Sequence, residues 1–238
     1  MNRRVAEERP SPDELEIEIH GQEDSDLPEG EDPALREGRH LLPLGRPSHD
    51  PRWVLSSACL KQILAHGQRH GDREVGGVLL GEIWRCPRGR VTEARESLPA
   101  QHTEAGLGHV TFSHDSWQDI YEYMEQVAPE LRLVGWYHTH PSFGVFFSAQ
   151  DRFIQKNFFS GAGQVGVVVD PLREDVAAFQ CVDGEVEEMP GVWIGASEDG
   201  AVAARKLIER LTFRGGEREG KGVLQRMVDA VLPQRETK

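Results

Sequence analysis

The chain has no apolar run of membrane-spanning length. Its start, Met1-Asn2-Arg3-Arg4-Val5-Ala6-Glu7-Glu8, has no apolar stretch behind the arginines. Neither an anchor nor a secretory leader is expected, and the expected place is the cytoplasm. Cysteine is scarce: Cys59, Cys86 and Cys181 are the three in 238 residues, far apart and without a Cys-x-x-Cys pair. That excludes a disulfide framework and suits a reducing compartment. Positive charge is also short. Lys and Arg number 27 against 40 Asp and Glu, giving a net charge of −13 and a pI near 5.2. Without a basic stripe, general nucleic-acid binding is excluded and adhesion to an anionic membrane is disfavoured. An acidic surface suits a basic peptide or protein partner. No internal repeat is present.

The residues that are there are unevenly organised. The length fits one globular domain with tails or two small ones. Residues 1–50 are rich in Glu, Asp, Pro and Gly and poor in aromatics, so they are expected to stay mostly without structure. Within them Leu15, Ile17 and Ile19 alternate with Glu14, Glu16 and Glu18. This fits a short edge strand or a linear motif that adds a strand to a partner's sheet. From Trp53 the texture becomes globular. Strands are expected over Trp53 to Leu55, Val75 to Ile83, Arg90 to Glu96, Val110 to Phe112, Leu131 to Tyr137, Gln164 to Val169 and Val176 to Val182, and one more over Glu185 to Ile194. Ala100 to Gly108 reads as a loop. A helix capped by Ser57 would carry Leu60, Ile63 and Leu64 on one face. Another, capped by Ser113, would carry Trp117, Ile120, Tyr121 and Met124, and a third would run from Ala149 to Phe159. The order predicts a mixed α/β or α+β sheet. Beyond a domain over 51–197, two weaker helices, Ala201 to Phe213 and Val223 to Val231, would form a C-terminal extension over 198–238.

The chemistry is concentrated in His138-Thr139-His140-Pro141, followed by Ser148 and Asp151. Two histidines at i and i+2 on a strand project to one face and can converge on one ion. Pro141 ends the strand, so the site sits at its mouth. A carboxylate from the next helix completes a two-His, one-Asp set. Such a set suits zinc with one coordination position left for water, whose lowered pKa supplies hydroxide near neutral pH. Hydrolysis also needs a base that is not a ligand, and Glu74, just before Gly76-Gly77, is the best candidate. Those glycines would let neighbouring backbone or substrate come close.

Glu74-Val75-Gly76-Gly77-Val78-Leu79-Leu80-Gly81, His138-x-His140-Pro141 and Ser148-x-x-Asp151 together resemble the signature of the JAMM/MPN+ zinc metalloproteases (Mov34/MPN/PAD-1, prokaryotic JAB-type). The spacing matches without a gap, and the resemblance covers Trp53 to Ile194, with Asp170-Pro171 similar to the family's segment after the site. It implies a cytidine-deaminase-like MPN domain, a mixed curved β-sheet flanked by helices. It implies Zn2+ on His138, His140 and Asp151, Glu74 passing a proton from water to the leaving amine, and Ser148 helping to stabilise the oxyanion. It also implies isopeptide or peptide hydrolysis at the C-terminus of ubiquitin or a ubiquitin-like protein, as conjugate or as fusion, with an E1/E2-like conjugation system as a further partner. Two alternatives are processing of a sulfur-carrier or ubiquitin-like precursor and a non-catalytic scaffold that binds protein partners. The acidic surface would favour a basic substrate tail.

Several residues carry a second reading. Ser148-x-x-Asp151 is also a helix capping box, and one carboxylate oxygen cannot serve both cap and metal. Glu74 could be a solvated charge beside Arg73, with Glu82 as the alternative base. Thr139 should point away from the histidines and pack. Phe143, Phe146 and Phe147 are either a buried lid or a grip on an extended substrate. His66, His70, His102, His109 and His114 read as surface residues, and Cys59 and Cys181 as core thiols.

Overall fold

A computed structural model describes residues 27–100 and 112–215. The strands are β1 (Arg39–Gly45), β2 (Arg52–Ser56), β3 (Gly76–Cys86), β4 (Gly89–Pro99), β5 (Arg132–Thr139), β6 (Val165–Asp170), β7 (Asp175–Val182), β8 (Glu185–Glu188), β9 (Gly191–Ser197) and β10 (Thr212–Phe213). The helices are α1 (Ser57–His70), α2 (His114–Gln126), α3 (Ala149–Phe158) and α4 (Ala201–Ile208). The strands form one mixed sheet in the order β1-β9-β2-β4-β3-β5-β6-β7-β10, with β8 also on β7. The sheet curls until its ends meet: a Cβ on Gly45, at the end of β1, would stand 2.8 Å from the Phe213 ring in β10. The expected mixed α/β architecture is therefore the observed one. No helix among the described residues is long and apolar enough to cross a membrane.

Alternation along the strands sends side chains to two cores. Leu79, Val134, Tyr137 and Val167 pack with Leu60 and Ile63 of α1 and with Ala204 and Leu207 of α4. Val78, Trp136 and Val168 pack on the other face with Trp117 and Ile120 of α2 and Ile154 of α3. Central β5 is bonded antiparallel to β3 and parallel to β6. Buried on both sides, it is near-continuously apolar, as such strands must be.

Helix starts follow side-chain chemistry. Ser56, not Ser57, caps α1, its oxygen accepting from Cys59 N–H, because Ser57 is already helical. Ser113 caps α2 as expected, although Tyr121 of its predicted stripe is exposed.

Three expectations are corrected. The acidic N-terminal segment is built into the fold from residue 27 on. β1 pairs antiparallel with β9, burying Leu42 and Leu44, and Asp32 is buried in an ion pair with Arg52. Low average hydrophobicity concealed these few inward side chains and one neutralising arginine. The expected strand from Glu185 to Ile194 is two strands, because Pro190 cannot donate to a ladder and the chain there leaves β7 to join β1 and β2. The expected helix from Ala201 to Phe213 stops at Ile208. Thr212 and Phe213 instead pair parallel with β7, where Arg214 N–H donates to the Val176 carbonyl at 2.8 Å. The Leu15, Ile17, Ile19 pattern, the loop after Ala100, Val110 and the helix over Val223 to Val231 lie outside the described residues.

Candidate metal centre

β5 delivers the first two side chains. Trp136 and His138 share one face, and Tyr137 and Thr139 the other. The extended backbone continues one residue past β5, where His140 N–H donates to the Val169 carbonyl at 2.9 Å. His140 thus stays on the side of His138, and their Nε2 atoms stand 3.0 Å apart. His140 Nδ1–H donates to the Gly144 carbonyl at 2.9 Å, which leaves a lone pair on Nε2. His138 is fully buried. Burial, helped by nearby His140 and opposed by Asp151, lowers its pKa to about 3, so the ring is in the neutral form that a metal requires.

The turn that follows is pinned from β6. Asp170 Oδ1 accepts from Ser142 N–H at 3.1 Å and from Leu172 and Arg173 N–H at 3.0 Å each. α3 supplies the third group. Ser148 and Asp151 do form a capping box, and the two carboxylate oxygens divide the work. Oδ2 accepts from Ser148 N–H at 2.6 Å, while Oδ1 faces His138 Nε2 at 3.5 Å. One atom from each of His138, His140 and Asp151 lies within 4.8 Å of the others.

This set fits a zinc ion. Two donors about 2.0–2.1 Å from zinc at the tetrahedral angle stand about 3.3–3.4 Å apart, and the separations of 3.0 and 3.5 Å bracket that value. Without a cation the two Nε2 atoms stand at hydrogen-bonding distance, one carrying the proton; a cation would instead take a lone pair from each.

The match of the family model for "JAB1/Mov34/MPN/PAD-1 ubiquitin protease" runs over residues 52–160, from β2 to the end of α3. Over those residues the chain is similar to this family. COP9 signalosome complex subunit 5 of Eremothecium gossypii is 33% identical over 56% of this chain and 33% of its own length. Ubiquitin carboxyl-terminal hydrolase RPN11 of Saccharomyces cerevisiae is 30% identical over 58% of this chain and 46% of its own. The chain thus spans less than half the length of these two relatives. Among solved structures, that of protein DSY2949 from Desulfitobacterium hafniense aligns over 60% of this chain and 90% of that one, at 17% identity and a TM-score of 0.46.

Glu74 lies between α1 and β3, with Oε1 4.0 Å from His140 Nε2. Its Oε2 is buried without a hydrogen-bond partner. Burial raises its pKa above the ordinary carboxylate value; Asp151 adds to the rise and His140 opposes it. Glu82 is not brought to the cluster, because Arg95 holds it at 2.7 Å. Gly77 serves the sheet rather than substrate: a Cβ there would strike the Leu98 carbonyl and stand 2.8 Å from the Tyr137 ring.

Other residues support the cluster in ways their sequence positions did not announce. The Trp136 ring stacks on His138 with centroids 4.9 Å apart, and its Nε1–H donates to Gln155 Oε1 at 2.8 Å. Gln155 follows Asp151 by one helical turn, so it ties α3 to the strand that bears the histidines. The signal was the i, i+4 spacing from Asp151. Of the three phenylalanines, Phe147 is buried and stacks on Phe179. Phe146 lies 4.9 Å from the His140 ring, and Phe143 is exposed. Thr139 does face away from the histidines, yet beyond packing it accepts a hydrogen bond from Val75 N–H. His66 is a core residue rather than a surface one, bonded through Nδ1 to the Tyr137 hydroxyl at 2.9 Å.

Proposed function

We propose that the chain is a zinc-dependent hydrolase that cuts isopeptide or peptide bonds at the C-terminus of ubiquitin or a ubiquitin-like protein. The observation that carries this reading is the convergence of His138, His140 and Asp151 with Glu74, whose Oε1 stands 4.0 Å from His140 Nε2 and whose Oε2 has no hydrogen-bond partner. In this reading His138 and His140, through Nε2, and Asp151, through Oδ1, hold the ion. A zinc ion in such a set supplies Lewis acidity, polarising a carbonyl and making a water acidic enough to lose its proton near neutral pH. Glu74 accepts that proton and returns it to the nitrogen of the leaving amine. Its raised pKa suits a group that must both take and give. Ser148 Oγ accepts from Asp151 N–H at 3.2 Å, so its own hydroxyl hydrogen lies outside the capping box and is free to donate to the carbonyl oxygen as charge builds there.

The relative named a ubiquitin carboxyl-terminal hydrolase supports the substrate class. Conjugates, with an E1/E2-like system upstream, and ubiquitin-like or sulfur-carrier precursors differ only in the leaving group. A non-catalytic scaffold would have no use for a complete ligand set beside a free carboxylate. The test is mass spectrometry of ubiquitin and ubiquitin-like fusions after incubation with the zinc-loaded full chain, with zinc content measured in parallel. We expect about one zinc per chain and cleavage directly after the ubiquitin-like C-terminus, lost in Glu74→Gln. A folded chain that takes up no zinc would overturn the reading.

A further inference from the structure

Glu74 lies between regular elements: α1 ends at His70 and β3 begins at Gly76. Its place depends on what holds Val75. Both main-chain groups of Val75 are bonded to the same residue. Thr139 N–H donates to the Val75 carbonyl at 2.8 Å, and Val75 N–H donates to Thr139 Oγ1 at 3.1 Å. The first bond extends the β3–β5 ladder one step beyond Gly76↔His138. The second departs from it. An antiparallel pair exchanges main-chain bonds in both directions, whereas here a hydroxyl stands in for the carbonyl.

Thr139 sits between the two histidines, and its side chain projects to the opposite face. It is fully buried, and its methyl is pressed toward α1, where a Cβ on Gly67 would stand 2.9 Å from it. A β-branched side chain is restricted at χ1, and with its methyl toward α1 the hydroxyl is directed to Val75. The same tripeptide therefore presents two imidazoles on one side of the strand and, on the other, an acceptor that fixes the backbone beside the carboxylate.

We propose that Thr139 is a positioning residue for Glu74: by accepting the Val75 N–H it sets where the carboxylate stands relative to the histidine pair. The proposal rests on the reading of Glu74 as the base. Thr139→Val keeps the shape and removes the acceptor, leaving a buried N–H unpaired. Thr139→Ser keeps the acceptor and loses a methyl.

The test compares the full chain and both variants, all zinc-loaded, by zinc content, amide hydrogen exchange at Val75 and steady-state kinetics. The probe is ubiquitin joined through its C-terminal carboxyl to a fluorescent lysine peptide. In Thr139→Val we expect unchanged zinc content and exchange at Val75 at least about tenfold faster. We also expect kcat at least about tenfold lower with KM little changed, as loss of one buried hydrogen bond implies. Thr139→Ser should keep both protection and kcat near those of the parent. Unchanged protection in Thr139→Val would overturn the proposal, as would parental kcat in that variant or an equal fall in Thr139→Ser. Should the parent leave the probe uncut, the reading of ubiquitin as substrate fails on its own, and the exchange measurement still decides whether the tether exists.

Discussion

Two of the places where this molecule buries charged groups are built in opposite ways. Near the start of β2 and β4 the acids are matched by arginines. Asp32 is paired with Arg52 and stands 3.5 Å from Arg88. Glu93 is paired with Arg39 and stands 3.6 Å from Arg95. Burial alone would raise the Asp32 pKa; the Ala34 N–H and the Arg52 guanidinium hold it below the ordinary value instead. Near the end of β5, Glu74 and Asp151 have no arginine or lysine partner among the described residues; their neighbours are the imidazoles of His140 and His138. The first region carries its own counter-charges. The second gathers lone pairs and negative charge around a point with no cation of the chain's own, the condition under which a metal ion is the stabilising partner.

The largest expected effect separates chemistry from binding within the second region. Glu74→Gln should lower kcat by about 10²–10⁴-fold, the usual share of a general base, without changing zinc content by metal analysis. Loss of the metal together with activity would make Glu74 a ligand and break the comparison. In the first region the effect should be on stability alone. Arg52→Met strands a buried carboxylate and should cost about 3–5 kcal/mol in denaturant unfolding, with zinc content unaltered. A cost under about 1 kcal/mol would mean that the two regions are not built differently. Zinc at about a hundred times its Kd should stabilise the chain by about 2.7 kcal/mol, an effect that Asp151→Ala removes and Arg52→Met leaves. Calorimetry with and without a chelator reads it.

The smallest effect concerns a group belonging to neither region. Burial lowers the His66 pKa to about 4, with His70 and Arg69 adding to the fall. Between the unfolded value near 6.5 and that folded value the unfolded chain binds the extra proton. His66 therefore contributes stability that is present above pH 6.5 and is lost as pH falls toward 4. His66→Gln should flatten that part of the stability profile, and an unchanged slope would show His66 to be solvated.

Much of the candidate site was legible because it is local. Two histidines two apart on a strand, and a serine three before an aspartate at a helix start, are patterns that geometry reads directly. Glu74 was singled out by its place before Gly76-Gly77 and by the resemblance, since nothing within a few residues of it points to His140, 66 positions away. The partners of Thr139, Gln155 and His66 were not legible for the same reason, because each is a contact between distant segments. In the fold, long apolar strands such as β5 and β6 were plain. β1 was hidden in an acidic average, and β10, with its two residues, is defined by β7 rather than by any periodicity of its own.

The divided carboxylate of Asp151 has a consequence for how the protein lives with its ion. One oxygen is committed to starting α3, so this side chain has nowhere to swing when the metal leaves, and the strand holds both imidazoles. The empty form should keep the shape of the full one and refill without a refolding lag, which a stopped-flow zinc indicator would detect. On the proposed reading such a protein would shed its ion and wait, so that the local supply of zinc, rather than fresh synthesis of chain, would govern how many copies are at work.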